Sequence, residues 1–423
     1  MRIVTISDHV DCPSGLGVQH RVLADAMQAS GLGEVISLGI WDRGPLSTHA
    51  GGFQAVGLGT RGLDEVQHRW HEFYDLLRPD VVISSGDLRM FHGLGAILDA
   101  EQRVVEWKKQ GTFHWLHWYY VDSPTFEFAY KGMMGVIDKL VVPSLFGLHV
   151  VRAYLPQTPM AVIPCGVDVK TFKPVAERRK RQIQREWGDR LDGVPLDGRR
   201  VLLYVDTNMF RKDPYIVVRC LRDMPDDVVL VMHCSPWPRD GSRGWRLDEL
   251  AEYYGVADRI LWTGEGQHRP RLSSSEMAQL YQLADLRVSA TQSEGFGVPI
   301  IEAGACGVPT VITDCTTTRE VIGGHEQCLA RVAHWDVQQG GNMERAKVDQ
   351  ADFTTKVLWH LDHPDASRKI GLAIRDHVLR NFTVAKVKAA WAETVTRTLE
   401  DHPWLLSSNP ASGRNSKRRD RLA

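Results

Sequence analysis

The segment "ADLRVSATQSEGFGVPIIEAGACGVPTVITD", Ala284 to Asp314, reads as strand, loop, helix and strand again. "LRVSAT" and "VPTVITD" are short apolar runs of strand length. Between them Pro299 suits the first turn of a helix, and Gly307 with Pro309 stops it, so "IIEAGA" is a short buried helix. The loop before that helix holds Glu294, Gly295 and Gly297, and the helix itself carries Glu302. One acidic residue at a helix start is what the helix dipole favours. Two of them, beside tight glycines in an apolar setting, ask for more. A carboxylate repels phosphate oxygens but accepts hydrogen bonds from hydroxyls, as dinucleotide-binding folds do with a ribose. Glu294 and Glu302 are therefore candidate readers of sugar diols.

The same alternation runs outward in both directions. Toward the N-terminus, "RIVTIS", "DVVISS" (80–85), "TFHWLHW" (112–118) and "KLVVPS" (139–144) are separated by amphipathic stretches such as "GVQHRVLADAMQASG". A seam lies at "IPCGVDVKTFKP" (163–174), followed by the charged segment "ERRKRQIQREWGDR" (177–190), read as a solvated helix. The alternation then restarts with "RRVLLYVDT", "DVVLVMHC" and "RILWTGEG". "SSSEMAQLYQLAD" opens with Ser273 three residues before Glu276, a capping-box signature. The expectation is an α/β protein of two doubly wound, Rossmann-like parallel-sheet domains, residues 1–165 and 166–380. A last helix over 384–402 precedes a basic tail, 405–423, read as disordered.

Composition narrows the class. The chain has 423 residues, too many for one ordinary core, with 43% hydrophobic and 24% charged residues. Lys plus Arg number 51 against 52 Asp plus Glu, so no global field draws nucleic acid or anionic lipid. The basic tail leaves room for a nucleic-acid contact without arguing for one. Seven scattered cysteines without a CxxC pair suggest thiols in a reducing compartment. With no apolar run of membrane-spanning length, a cytoplasmic protein is expected.

In open parallel sheets ligands bind beyond the carboxyl ends of the strands, which singles out three further loops. After the first strand, "DHVDCPSGLGVQH" carries Gly15 and Gly17, which allow close backbone approach to an anion at a helix start, or simply a tight turn. After "VLLYVDT", the loop Thr207, Asn208, "MFRKDP" carries Arg211 and Lys212, two cations suited to a diphosphate, or a solvated basic pair. Asp213 there is expected to cap the helix that Pro214 begins. In "HWLHWYYVDSP", His114 and His117 fall on opposite faces of a strand and do not share a metal. His117 lies nearer the carboxyl end, and Asp122 follows in the loop. Sugar, ribose and phosphate readers together describe a nucleotide-sugar site.

The residues also resemble a known family. "EGFGVPIIE" resembles the E-x7-E element of retaining glycosyltransferases of the GT-B fold, especially glycosyltransferase family 4. "VVPSLFG", "PCGVDVKTFKP" and "VADRILWTGEG" match further family segments in order and spacing, over most of residues 1–380 and most strongly in the second half. The resemblance implies a GT-B fold with two domains facing across a cleft. It assigns Glu302 to the donor ribose, Glu294 to hydroxyls of the transferred sugar, and backbone N–H groups at Phe296, Gly297 and Val298 to sugar or phosphate. It assigns Lys212 to the diphosphate, and Gly15 and Gly17 to donor phosphate and acceptor. His117 is the choice for the family's cleft histidine, with His114 and Asp122 competing. The family's arginine five residues before Lys212 is replaced by Thr207, and Arg211 is the candidate substitute.

The implied activity is transfer of a sugar, with retained anomeric configuration, from a nucleotide-diphosphate sugar to an unidentified hydroxyl of a glycan, lipid, small molecule or modified nucleobase. Attack is guided by the leaving phosphate, no enzymic nucleophile is assigned, and no metal or other cofactor is required. Closure about residues 164–174 is expected to exclude water. A GT-B epimerase or phosphorylase, or a catalytically silent nucleotide-sugar-binding protein, are the alternatives. The aromatic runs "HWLHWYY" and "FEFAYKGMM" are candidates for acceptor stacking or for core.

Overall fold

The computed structural model describes residues 1–42, 44–59, 76–86, 113–126, 134–135, 137–191, 194–238, 244–266, 271–338 and 343–401. The basic tail and most of the run 126–134 lie outside the described residues. The chain divides into two compact units: Met1–Val121 with Phe126–Gly166 and Val384–Ala423, and Val167–Thr383 with Asp122–Thr125.

The first unit holds β1 (Arg2–Asp8), β2 (Glu34–Ile40), β3 (Ser47–Thr48), β4 (Gln54–Gly59), β5 (Val81–Gly86), β6 (His114–Tyr119), β7 (Lys139–Val142) and β8 (Met160–Val162). They form one sheet in the order β3-β4-β2-β1-β5-β6-β7-β8, in which β3 alone pairs antiparallel. β1, for example, sets Ile3 beside Val35 on one flank and beside Val81 on the other. Strands buried on both faces read as continuous apolar runs, which is why these segments stood out in the sequence. The helix Gly15–Ser30 starts on Ser14, whose hydroxyl accepts from Gly17 N, and stops at Gly31 in the left-handed region (φ 68°). The C-terminal helix Val384–Asp401 packs in this unit, with Trp391 edge-on to Trp118 at 5.2 Å and Lys388 paired to Asp25 at 3.0 Å.

The second unit holds β9 (Arg200–Val205), β10 (Val228–His233), β11 (Ile260–Trp262), β12 (Leu286–Ser289), β13 (Thr310–Thr313) and β14 (Leu329–Ala330). All pair parallel, in the order β11-β10-β9-β12-β13-β14. The chain winds outward from β9 in one direction and from β12 in the other. Neighbouring loops therefore diverge at the carboxyl ends of β9 and β12, the switch point where doubly wound sheets open a crevice. The helix Ser274–Leu283 is capped by Ser273 and Glu276 in a complete capping box, and Glu177–Arg190 is the charged helix expected from its composition. One feature was not anticipated: an antiparallel hairpin of β15 (Val332–Gln338) and β16 (Met343–Val348) follows β14. Its strands "VAHWDVQ" and "MERAKV" pair from Val332 beside Val348 to Gln338 beside Met343.

Candidate active site at the β9–β12 switch point

Both loops at the switch point carry charge into the protein. β9 ends at Val205, and the loop passes through Asp206 and Thr207 into a single 3-10 turn, Phe210–Lys212. β12 ends at Ser289, and the following loop reaches the helix Val298–Ala305 through Glu294 and Gly297. Lys212 and Glu294 meet there, Nζ to Oε1 at 2.5 Å, although 82 residues separate them in the chain. Lys212 Nζ also contacts Asp206 Oδ1 at 2.9 Å. The lysine is only 6% exposed, so the basic pair is not a solvated one. The sheet buries an ion cluster at its mouth.

Arg211 extends the cluster. Its Nη1 donates to the Ser293 carbonyl at 2.5 Å, and its Nε lies 3.6 Å from Asp122 Oδ2. Burial opposes the guanidinium charge, yet Asp122, Glu294 and Asp206 together hold its pKa above the ordinary arginine value. Arg345, from β16, donates through Nη1 to the Asp122 carbonyl and to Ser293 Oγ, both at 2.6 Å. The hairpin backbone joins in, with Ala346 N donating to the Gln292 carbonyl at 3.0 Å. Thus Gln292 and Ser293, the two residues before Glu294, are held by Arg211 and by the hairpin. The Glu294 N–H donates to Thr316 Oγ1 at 2.9 Å, and its carbonyl accepts from Thr317 Oγ1 at 3.2 Å.

Gly297 stands at φ 101°, where a side chain is strained. An added Cβ would also lie 2.5 Å from Ile300 Cδ1. The turn turns Phe296 inward, edge-on to Phe382 at 5.4 Å, and leads into Val298 at the helix start. One turn into that helix, Glu302 Oε2 accepts from the Tyr281 hydroxyl at 2.7 Å. Burial, then Glu302, drives the Tyr281 pKa upward, so the phenol stays a donor.

One expectation is revised, and the remaining candidates are placed as follows. Asp213 makes no cap: it sits at φ 41°, and its carboxylate accepts from Gln292 Nε2 at 2.7 Å and from Lys347 Nζ at 3.4 Å. Burial raises its pKa and Lys347 offsets part of that rise. The Asn208 amide is taken up in joining two loops, donating to the Trp245 carbonyl at 2.8 Å and accepting from Trp245 N at 3.0 Å. Thr207 remains at the surface, its N–H turned to Asp206 Oδ1 at 3.2 Å. In the first unit, Gly17 is required by its own loop, because an added Cβ would lie 2.4 Å from the Cys12 carbonyl oxygen. Gly15 begins the same helix. His117 is fully buried, its Nδ1 at 2.7 Å from Ser84 Oγ, and burial lowers its pKa to about 3. His114, equally buried, lies 3.8 Å from Asp138 Oδ2.

The structure thus brings Lys212, Arg211, Glu294 and Asp122 together in the second unit, with Glu302 on the adjoining helix. Sequence reading missed Asp206, Arg287 and Arg345. A cation inside the apolar run "LADLRVSAT" was the available signal for Arg287. Among the described residues no group of three or more His, Cys, Asp or Glu side chains is placed to hold a metal ion, and no helix is long and apolar enough to cross a membrane. All seven cysteines are free thiols.

Known proteins resemble this chain in part of its sequence and in its fold. Residues 193–339 match the family model described as glycosyl transferases group 1. The D-inositol 3-phosphate glycosyltransferase of Xylanimonas cellulosilytica is 31% identical over 163 residues, 38% of this chain and 36% of that protein. D-inositol 3-phosphate glycosyltransferase 2 of Catenulispora acidiphila is 27% identical over 243 residues, 56% of this chain and 50% of that protein. The chain therefore spans half or less of the length of these curated relatives. Sucrose-phosphate synthase from Thermosynechococcus elongatus superposes with a TM-score of 0.72 at 18% identity, covering 95% of this chain and 99% of that one. Anabaena HepE, in complex with UDP and glucose, superposes with a TM-score of 0.65 at 12% identity, covering 94% and 100%. The segment that holds Lys212, Arg211, Glu294 and Arg287 is thus similar to the group 1 glycosyltransferases, and the chain has the GT-B fold.

Proposed function

We propose that this protein is a retaining glycosyltransferase that moves a sugar from a nucleotide-diphosphate sugar to an acceptor hydroxyl. The observation that carries the reading is the Lys212–Glu294 pair at the carboxyl ends of β9 and β12. The two side chains satisfy each other. A bound donor would replace both halves of that contact, its diphosphate taking Lys212 and its sugar hydroxyls donating to Glu294. The two side chains are thereby held at the correct spacing before the donor arrives, which reduces the ordering cost of binding.

The chemistry follows from charge. A departing diphosphate gathers negative charge, which Lys212 and Arg211 stabilise more in the transition state than in the ground state. The carboxylate of Glu294 lies beside the sugar as oxocarbenium character grows, and Glu302 accepts from the ribose. Asp122 orients Arg211. His117, buried against Ser84, and the loop of Gly15 and Gly17 belong to the first unit, and the glycines are proposed to meet donor phosphate and acceptor. No metal is required by this scheme.

The UDP complex of the Anabaena neighbour supports placing UDP-sugars first in a donor screen, and the names of the curated relatives support inositol phosphates among the acceptors. The test begins with thermal shift against UDP-, GDP-, ADP- and TDP-sugars, since a ligand that binds the folded state raises its apparent stability. Donor turnover with an acceptor mixture follows, with the product's anomeric configuration read by NMR. Transfer with retention supports the reading. Turnover without any acceptor identifies an epimerase, and tight donor binding without transfer or hydrolysis identifies a silent binding protein. Wild-type rates in Glu294→Gln would remove that residue from the mechanism.

A further inference from the structure

β12 lies between β9 and β13, in the middle of the second unit's sheet, where a charge meets no water. Arg287 nevertheless stands in that strand with 0% exposure. Its guanidinium makes one long hydrogen bond, Nη2 to the Val205 carbonyl at 3.4 Å, and lies 3.9 Å from Asp206 Oδ2. Among the described residues, Arg287 Nε and Nη1 and Asp206 Oδ2 have no hydrogen-bond partner. Buried guanidinium and carboxylate groups are normally fully engaged, because each unmade bond keeps its desolvation cost. Here a donor and an acceptor of opposite charge face each other across a gap slightly too long to be a hydrogen bond.

The other oxygen of Asp206 explains the gap. Oδ1 is engaged by Lys212 Nζ at 2.9 Å, and Lys212 is in turn engaged by Glu294. Glu294, Lys212, Asp206 and Arg287 form a buried row of two negative and two positive charges in which one contact stays open. Taking Lys212 out of that row would strand Asp206 unless another cation closed on it.

We propose that Arg287 is the waiting counter-ion for Asp206: when a diphosphate draws Lys212 away, Asp206 closes onto Arg287 and the buried row stays neutral. The proposal rests on the donor reading given above. It makes Arg287 a positioning residue that touches no substrate.

The test uses the full-length protein and calorimetric titration with UDP, GDP, ADP and TDP; the nucleotide that wild type binds most tightly becomes the probe. Arg287→Met should weaken its Kd about tenfold or more, because release of Lys212 then leaves a bare buried carboxylate. Asp206→Asn combined with Arg287→Met should restore the Kd to within about threefold of wild type, since no carboxylate remains to be stranded. Arg287→Lys should bind nearly as wild type. A merely structural arginine would show no rescue, so a double variant as weak as Arg287→Met overturns the proposal, as does Arg287→Met binding like wild type. If Arg287→Met does not fold by circular dichroism, Asp206→Asn alone decides: freed of one tether, Lys212 should bind the probe at least as tightly as in wild type, and weaker binding overturns the proposal. A wild type that binds none of the four nucleotides overturns the donor reading and this proposal together, whereas normal wild-type binding with an unaffected Arg287→Met overturns this proposal alone.

Discussion

Replacing Lys212 by Met removes a cation that contacts two buried carboxylates. At an effective dielectric constant of ~20, its contacts with Glu294 at 2.5 Å and Asp206 at 2.9 Å correspond to gross attractions of about 7 and about 6 kcal/mol. Desolvation cancels most of this in the intact protein, so the pair is not a large net stabiliser. Its removal is another matter, because Glu294 loses its cation while still buried, even where Asp206 closes onto Arg287, and breaking such a pair costs about 3–5 kcal/mol. For a unit the size of Val167–Thr383, at ~2–4 °C per kcal/mol, the Tm should fall by roughly 6–20 °C. Glu294→Gln should cost far less, about 1 kcal/mol, because Lys212 keeps Asp206 and the amide oxygen still accepts a hydrogen bond. The double variant Lys212→Met with Glu294→Gln should be more stable than Lys212→Met alone, since one stranded charge has gone. Differential scanning calorimetry of the four proteins at neutral pH measures all three differences. The reasoning fails if Lys212→Met melts within 2 °C of wild type, or if the double variant melts no higher than Lys212→Met.

Three further outcomes follow from the same structure. Gly297→Ala should lower stability by about 1–3 kcal/mol because φ is 101°, and Ile300→Ala added to it should not restore the loss, since the backbone strain remains; thermal melts decide. Tyr281→Phe removes the hydrogen bond to Glu302 and should raise the donor KM severalfold with kcat little changed, as steady-state kinetics would show. His20, His117 and His360 have pKa values lowered by burial to about 4, about 3 and about 4. Between pH 6.5 and those values the unfolded chain binds protons that the folded chain refuses. Stability is therefore constant above about pH 6.5 and falls below it by about 1.4 kcal/mol per pH unit for each histidine. Urea midpoints unchanged between pH 7 and pH 5 would contradict this.

Much of the fold was legible because parallel strands buried on both faces must be apolar along their whole length. "VLLYV", "VVLVMH" and "TVIT" each occupy such a strand, and their loops mark the ends where ligands bind. Glu294 and Lys212 were legible for a related reason. Charged residues placed just past apolar strand ends, beside a glycine turn, have few structural excuses. What escaped was everything decided by contacts between distant segments. Asp213 looked like a helix cap because Asp before Pro usually is one, but its left-handed backbone and the reach of Gln292 and Lys347 drew its carboxylate elsewhere.

Arg345 escaped for a different reason. Nothing local marks one arginine of an exposed-looking ribbon as the residue that fixes Ser293 and Asp122, and only the pairing of β15 with β16 carries it there. Arg287 was the one missed residue with a local signal. Placing a cation in the central strand costs more than any hydrophobic residue would, so its presence asks what charge it serves. Asp206, 3.9 Å away with an oxygen unused, is the only such charge its contacts reveal among the described residues. Because Asp206 also tethers Lys212, the residue that looks most out of place in the sheet is coupled, through a single carboxylate, to the cation proposed to hold the diphosphate.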